Sequence, residues 1–489
     1  MTEIRFGTDG WRGVIAEDMT FANVRLVARA IGATVKADCR GRVPVLLVGH
    51  DTRFLSREFA QAAAEALAAE GVAVKLATAF APTPAFSYAV VREGADGGVV
   101  ITASHNPPEY SGVKFKSSFG GSAPIEFTRR VEARIRELQA SDQPSALSGQ
   151  REPRTSTLEP ASSHEPSAMR HEPRVGAFDA RQPWLDRLEE LVDLRRLGQR
   201  GLHVALDVMY GAGQGLLAGR LRRAGCDVRE LHAEANPAFG GLHPEPIPAY
   251  MGDLIECVKG WTAAPRAGFA FDGDSDRLAP VDEGGRVITP HETLALLLRH
   301  LTRHRGWRGP VVKSVNIGRM VEAEAAALGL PVLVTPVGFK HIAEAMRTHD
   351  ALLGGEESGG FAVRGHIPER DPGLISLLLL EAMALSGKTL GALVRELEAD
   401  HGPHRYGRLD LRLRTLEERD RVVAAVARRP PDPLLSHRLA HVETLDGVKL
   451  TLADRRWIML RASGTEPLLR IYAEAPSDAE VEALLTWGR

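Results

Sequence analysis

Apolar runs and helical stripes alternate along the chain in a repeating order. Val43 to Gly49 reads as an apolar strand, Phe59 to Ala69 as a helix, and Val72 to Ala77 as a second strand. The order returns at Leu202 to Met209, Gly215 to Ala224 and Cys226 to Leu231. It returns again at Pro310 to Asn316, Arg319 to Leu328 and Pro331 to Thr335. Each first strand ends in a loop bearing Gly, Asp or Asn before its helix. Near-continuous apolar strands joined through helices are buried on both faces, the pattern of a parallel sheet. Three copies at wide intervals predict three related α/β domains with mainly parallel sheets, because a solenoid would repeat at a short period.

The remaining segments complete the outline. Trp184 to Leu197 carries Leu185, Leu188, Leu191, Val192 and Leu197 at helical spacing, which predicts one helix joining the first domain to the second. Beyond Gly402, strands are predicted near Leu409 to Leu413, Gly447 to Leu452, Trp457 to Arg461 and Leu468 to Ala473, with a helix near Asp478 to Thr486. That region reads as a smaller α+β domain. Ser141 to Arg174 is rich in Ser, Pro, Glu and Arg and poor in large apolar residues. It cannot bury enough surface to offset its conformational entropy and is expected to be a disordered insertion. The expected division is an α/β domain at 1–140, insertion and linker at 141–182, α/β domains at 183–292 and 293–402, and an α+β domain at 403–489, arranged around a central cleft.

Composition narrows the function. A chain of 489 residues is too long for one hydrophobic core. Its formal charge of −2 argues against a general nucleic-acid surface. Cys39, Cys226 and Cys257 lie far apart without metal spacing, so a reducing compartment is expected. The opening Met1 to Arg5 has no apolar signal core, and the most apolar stretch, Leu374 to Leu385, contains Glu381 and is too short for a bilayer. The expectation is a cytoplasmic protein without nucleic-acid or membrane partners, monomeric or homodimeric. Lysines are scarce, nine against fifty-two arginines, which makes each less suited to be filler.

The first candidate chemistry is the run Phe271-Asp272-Gly273-Asp274-Ser275-Asp276-Arg277. Three carboxylates at alternate positions repel one another unless a cation balances them, and a hard cation takes oxygen ligands. Alternate side chains on a straight strand stand about 6–7 Å apart, so the backbone must curl to gather them. Gly273 permits the curl and Ser275 does not obstruct it. A calcium EF-hand loop is excluded because its sixth position would be Arg277 where a glycine is needed, and because the flanks Ala267 to Phe271 and Gly285 to Ile288 read as strands. An arginine beside a metal points to a second anion, most commonly phosphate.

The second candidate is the string Val99 to Pro108, an apolar strand breaking into Thr102-Ala103-Ser104-His105-Asn106-Pro107. Its prolines stop any helix, so Ser104 stands at the carboxyl end of a strand, where ligands of α/β sheets sit. No Gly-x-Ser-x-Gly elbow surrounds it, which counts against an acyl hydrolase.

Together, Thr102 to Pro107 and Asp272 to Arg277 resemble the motifs of the α-D-phosphohexomutase superfamily, the phosphoglucomutase/phosphomannomutase enzymes. Gly355-Glu356-Glu357-Ser358-Gly359-Gly360 resembles the sugar-binding loop of that family, and Arg461-Ala462-Ser463-Gly464-Thr465-Glu466-Pro467 its phosphate-binding loop. Phe6 to Gly13 resembles its N-terminal run. The motifs fall in the family order and span the chain apart from the 141–174 insertion.

The resemblance implies a mutase that interconverts hexose 1-phosphate and hexose 6-phosphate. Ser104 would carry a phosphoryl group, Asp272, Asp274 and Asp276 would hold Mg²⁺ with it, and a hexose 1,6-bisphosphate would turn over within the site. Lys114 matches a family acid/base lysine and Arg12 an arginine near the reacting phosphoryl group, while His105 would orient the serine loop. Arg277, Gly338, Lys340, Glu356 and Ser358 would bind the sugar phosphate. Arg461, Ser463, Gly464, Thr465 and Arg470 would grip the phosphate that does not react. Backbone N–H groups of the Ser-Gly-Thr turn suit that task as an anion nest. The loop Glu356 to Gly359 resembles the phosphoglucomutase branch, so glucose 1-phosphate and glucose 6-phosphate are the expected pair. Alternatives are a phosphomannomutase, a phosphoglucosamine mutase, a metal-dependent sugar phosphatase, or a binding protein without activity.

Overall fold

The computed structural model describes residues 4–7, 9–141, 175–464 and 466–489. Nearly all of the expected insertion, and also Thr8 and Thr465, lie outside the described residues. Those described form four sheets. The first contains β1 (Trp11–Val14), β2 (Val45–His50), β3 (Ala73–Ala77), β4 (Gly97–Ile101), β5 (Tyr110–Ser117) and β6 (Gly176–Phe178), in the order β1-β5-β4-β2-β3-β6. The second contains β7 (His203–Asp207), β8 (Asp227–Leu231), β9 (Arg266–Phe271) and β10 (Leu278–Val281), in the order β10-β9-β7-β8. The third contains β11 (Val311–Ser314), β12 (Val332–Thr335), β13 (Leu353–Gly355) and β14 (Phe361–Val363), in the order β12-β11-β13-β14. Helices connect the parallel strands within all three, as the hydrophobic pattern requires.

Each of these sheets departs from parallel where its motif lies. β4 runs antiparallel to β5, β9 to β10, and β13 to β14. The loop at each reversal carries one of the motifs: the serine run, the aspartate run or the Glu-Glu-Ser-Gly run. The fourth sheet is antiparallel throughout, in the order β15 (Arg405–Arg412), β19 (Leu468–Ala475), β18 (Trp457–Ala462), β17 (Val448–Leu452) and β16 (Leu439–Glu443). Its Arg461–Pro467 motif turns β18 back into β19.

One apolar cluster runs through the first three domains, from Leu47 and Phe86 through Trp184, Leu206 and Phe269 to Leu380 and Leu397. At its centre is the helix Pro372–Ser386, apolar apart from Ser376, Glu381 and Ser386 and buried from Pro372 to Ala384. Asp371 caps its start by accepting from Leu374 N, and Gly387, at φ +72°, ends it in the left-handed region. Each buried leucine adds about 2 kcal/mol of apolar burial. No single helix among the described residues is long and apolar enough to cross a membrane. The fourth domain has its own core, centred on Leu450, Ile458 and Ile471.

Three local expectations are corrected. Trp184 to Leu197 is not one helix: Arg181–Leu191 and Leu194–Gln199 are separated at Val192, which is extended, and Asp193 caps the second by accepting from Arg195 N. β-branched Val192 is buried in the shared core, and the chain bends to place it there. Gly285 to Ile288 is not a strand; Gly285 stands at φ +85° in a turn, and the strand after the aspartates begins directly at Leu278. Residues 175–182 are not linker, because Gly176–Phe178 extends the first sheet alongside β3.

Candidate active site

Ser104 and the aspartate run meet across the boundary between the first and second domains. Ser104 is buried and donates from Oγ to Asp272 Oδ2 at 2.8 Å. Its φ of +55° lies in the left-handed region, where a non-glycine residue costs on the order of 1–2 kcal/mol. Gly273 is required by this meeting: a Cβ there would stand 2.5 Å from the Ser104 carbonyl oxygen. The loop curls as expected from its spacing. Asp272 Oδ1 accepts from the backbone N–H groups of Asp276 and Arg277 at 2.8 and 2.9 Å, which folds the run back on itself.

Asp272, Asp274 and Asp276 each offer an oxygen within 4.8 Å of the others'. Lys114 Nζ, buried on β5, donates to Asp274 Oδ2 at 2.8 Å and to Asp276 Oδ2 at 2.9 Å, and pairs with Asp9 at 2.9 Å. The second oxygens, Asp274 Oδ1 and Asp276 Oδ1, are buried with no hydrogen-bond partner. Two orphaned carboxylate oxygens beside a third carboxylate fit a hard divalent cation. Burial, and then the charges of Asp276 and Asp274, push the Asp272 carboxyl up to about 8. Burial also opposes ionisation of Asp274, but Lys114, through its charge and hydrogen bond, outweighs it and holds that carboxyl below the usual range. Burial likewise opposes a charged Lys114, but Asp274, Asp276 and Asp9 outweigh it, so the ammonium is held protonated.

Two guanidiniums and an imidazole lie near the serine loop. Arg12 donates from Nη1 to Asn106 Oδ1 at 2.6 Å. Arg277 lies 3.5 Å from Glu245, and its buried Nε has no partner. His105 Nδ1 stands 3.4 Å from Ser104 Oγ. Burial, then Arg277 and Arg12, push the His105 imidazole well below its ordinary range and keep it neutral. Two guanidiniums and a buried hydroxyl make a setting for a dense anion.

The sugar-loop candidates join this network from the third domain. Leu278 N, next to the aspartate run, donates to Gly359 O at 2.9 Å. Gly359, at φ +88°, has no room for a Cβ, which would lie 2.5 Å from Leu278 O. Glu356 is buried 3.5 Å from Arg370, while Glu357 turns the other way, 3.4 Å from Asn316 and 4.0 Å from Arg408. Ser358 Oγ is a buried atom without a partner. Gly338, at φ +125°, opens the helix Phe339–His349, which carries Lys340. Lys340 is half-buried, and burial lowers its ammonium despite the pull of Asp9.

The phosphate-loop candidates sit in the fourth domain. Arg461 and Arg470 are opposed across β18 and β19. Arg461 Nε donates to Asp446 Oδ2 at 2.9 Å, and the same oxygen accepts from Val337 N, which ties the loop's strand to the third domain. The expected anion nest is smaller than the sequence suggested, because Ser463 N donates to Leu468 O at 2.9 Å. Space beside Gly464 is open, and Arg470 Nε is a buried atom without a partner.

Residues that the sequence did not single out complete the site. Arg370 pairs with Asp276 at 2.8 Å, Asp9 at 2.6 Å and Glu369 at 3.1 Å, joining three domains. Lys116 pairs with Glu369 at 2.6 Å. The run Pro368-Glu369-Arg370-Asp371-Pro372, three charges between prolines before the most apolar helix, was the available signal. Thr83 donates to Asp274 Oδ2 at 2.7 Å with no local signal.

Family descriptions match in four blocks. Phosphoglucomutase/phosphomannomutase alpha/beta/alpha domain I matches residues 3–142, domain II 182–285, domain III 289–400, and the C-terminal domain 412–486. A phosphoglucomutase/phosphomannomutase of Thermococcus kodakarensis is 31% identical, with 99% of this chain and 97% of that one covered. A phosphoglucosamine mutase of Acidothermus cellulolyticus is 32% identical, with 97% and 92% covered. A solved structure from Thermus thermophilus, described as a phosphomannomutase, matches with a TM-score of 0.82 at 37% identity, covering 99% and 98% of the two chains.

Proposed function

Since the chain belongs to the phosphoglucomutase/phosphomannomutase family, we propose that it interconverts glucose 1-phosphate and glucose 6-phosphate with Ser104 as the phosphoryl carrier. The observation that carries this reading is the 2.8 Å contact of Ser104 Oγ with Asp272 near Arg12, Arg277 and His105. A hydroxyl set between a cluster of carboxylates and two guanidiniums is placed to exchange a phosphoryl group.

In the first transfer, the bond from phosphorus to Ser104 Oγ breaks and a bond to a sugar hydroxyl oxygen forms. The sugar hydroxyl gives up its proton, and Ser104 gains one as it is released. Lys114 is the residue proposed to move these protons, and His105, with Nδ1 3.4 Å from Ser104 Oγ, orients the serine. Glu356 and Ser358 hold sugar hydroxyls, with Lys340 and Arg277 on the phosphate side. Arg461, Ser463, Gly464, Arg470 and Thr465 of the same motif grip the phosphate that is not reacting while the hexose 1,6-bisphosphate reorients. Asp272, Asp274 and Asp276 with Ser104 would hold Mg²⁺, which when bound neutralises charge on the phosphoryl oxygens. Cys39, Cys226 and Cys257 form no disulfide, in keeping with a cytoplasmic setting.

An intact-mass spectrum of the purified protein tests the carrier directly: one added phosphoryl group on the peptide bearing Ser104 is expected. Activity on glucose, mannose and glucosamine phosphates side by side tests the sugar. Phosphoglucosamine is the second reading, favoured by a relative of that description at comparable identity. Release of inorganic phosphate at the rate of substrate loss would instead make the enzyme a phosphatase.

A further inference from the structure

The serine loop needs a reason to hold its shape. From Ala103 to Glu109 it leaves the sheet, Ser104 is in the left-handed region, and Pro107 and Pro108 have no N–H to give. Buried carbonyl oxygens that leave a sheet need other donors. One buried side chain meets three carbonyls of this loop and the first of β5. Arg53 donates from Nη2 to Ser104 O at 2.7 Å and to Asn106 O at 2.6 Å, and from Nη1 to Pro107 O at 2.8 Å and Tyr110 O at 2.9 Å.

Arg53 is itself fixed. Its Nε lies 3.2 Å from buried Asp51 Oδ2, while Asp51 Oδ1 accepts from Arg53 N at 3.0 Å and from Ser56 Oγ at 2.6 Å. The Phe239 ring, from the second domain, covers the guanidinium at 4.8 Å.

We infer that Arg53 is a positioning residue for phosphoryl transfer, a clamp that fixes Ser104 Oγ by holding three carbonyls of its loop and the first carbonyl of β5. This deepens the phosphoserine reading and rests on it. The planar fork of a guanidinium reaches four acceptors at once; an ammonium is a point with three donors and cannot. Arg53 touches neither Ser104 Oγ nor the aspartate carboxylates of the metal loop in any of these bonds, so it acts through the backbone alone. Holding Ser104 and Asn106 together also keeps Asn106 Oδ1 on Arg12.

The test uses the full-length enzyme, first stripped of any phosphoryl group by a phosphatase that is then removed, with Mg²⁺ and glucose 1,6-bisphosphate. Phosphorylation of Ser104 breaks the bond from phosphorus to a sugar oxygen, forms that to Ser104 Oγ, and passes the serine proton to the departing oxygen. Its rate is read by intact mass for wild type, Arg53→Lys and Arg53→Ala. The rate and kcat are expected to fall about 10²-fold, with KM changed less than about threefold. Methylguanidinium is expected to restore Arg53→Ala about tenfold, and methylammonium not at all. If Arg53→Ala does not fold, Arg53→Lys decides, since it keeps the charge and the bulk. A labelled wild type with an unchanged Arg53→Lys rate overturns the clamp alone. Equal rescue by both cations also overturns it, because the fork would then be irrelevant. A wild type that never takes up phosphate on Ser104 overturns the phosphoserine reading itself.

Discussion

The serine loop and the phosphate loop are built on one plan and finished differently. Each turns one strand back into an antiparallel neighbour, β4 into β5 and β18 into β19, and each is gripped by a single arginine. Arg53 holds three carbonyls of the serine loop and that of Tyr110 at the start of β5, with buried Asp51 beside it. Arg419 holds two carbonyls of the phosphate loop, Ser463 O and Glu466 O, and its carboxylate partner Asp420 faces solvent. Gly273 packs onto the serine loop, whereas the space beside Gly464 is open. A group that breaks and makes bonds gains from being fixed within fractions of an ångström. A loop that must admit, hold and release a ligand gains from fewer constraints.

The bluntest way to break this comparison is Ser104→Ala. Turnover is expected to fall by about 10³-fold or more, with sugar-phosphate binding by calorimetry nearly intact. Near-normal turnover would show that the rigid loop is not the reacting one.

Next comes Lys114→Met, which removes the cation shared by Asp9, Asp274 and Asp276. Asp9 and Asp276 keep Arg370, but Asp274 loses its cation, and an uncompensated buried carboxylate is expected to cost about 3–5 kcal/mol of stability without metal. Calorimetric melting should show the loss, and added Mg²⁺ should recover part of it. Loss of the same size with metal present would mean that the lysine, rather than a metal site, is what these aspartates are for.

Acid tests the junction on which the phosphate-loop domain is seated. His291, at the junction of the third and fourth domains, is pushed down to about 4 by burial. Its Nδ1 accepts from Gly318 N at 2.7 Å, so protonation removes a bond as well as burying a charge. Below the ordinary range near 6.5, the unfolded chain takes up a proton that the folded one refuses. Stability is therefore full above that range and falls as pH drops toward 4, by about 3 kcal/mol at most. Melting at stepped pH should show it, and His291→Asn should flatten the slope. An unchanged slope would place the acid sensitivity elsewhere, with Glu474, His404, Lys313 and Lys449 facing the same ring.

The smallest effect is expected from Arg419→Ala. With only two carbonyls held, KM should rise a few-fold, about 1 kcal/mol, with kcat little changed. A drop in kcat comparable to that of Arg53→Ala would erase the distinction between the loops.

What could be read in the chain was what depends on near neighbours. All nine strands and helices of the three repeated units stand close to where their periodicity put them, because a strand or helix declares itself within ten or so residues. The fourth domain was read less fully: helix Leu416–Arg428 and strand Leu439–Glu443 went unpredicted, and both bury few of their residues. The four loops were legible for the same reason, since a run such as Asp272-Gly273-Asp274-Ser275-Asp276 announces a charge problem by itself.

Which groups answer that charge was decided by the tertiary structure alone. Lys114 reaches Asp276 over 162 positions of sequence, and Arg370 reaches Asp9 over 361. Arg53 clamps a loop 51 positions away, and Val192 breaks a predicted helix to enter a core shared by three domains. The repeating pattern fixes what each segment becomes, because backbone conformation and burial respond to local side chains. Partners for buried charge are chosen by how the sheets stack, since only desolvation on packing makes such a partner obligatory.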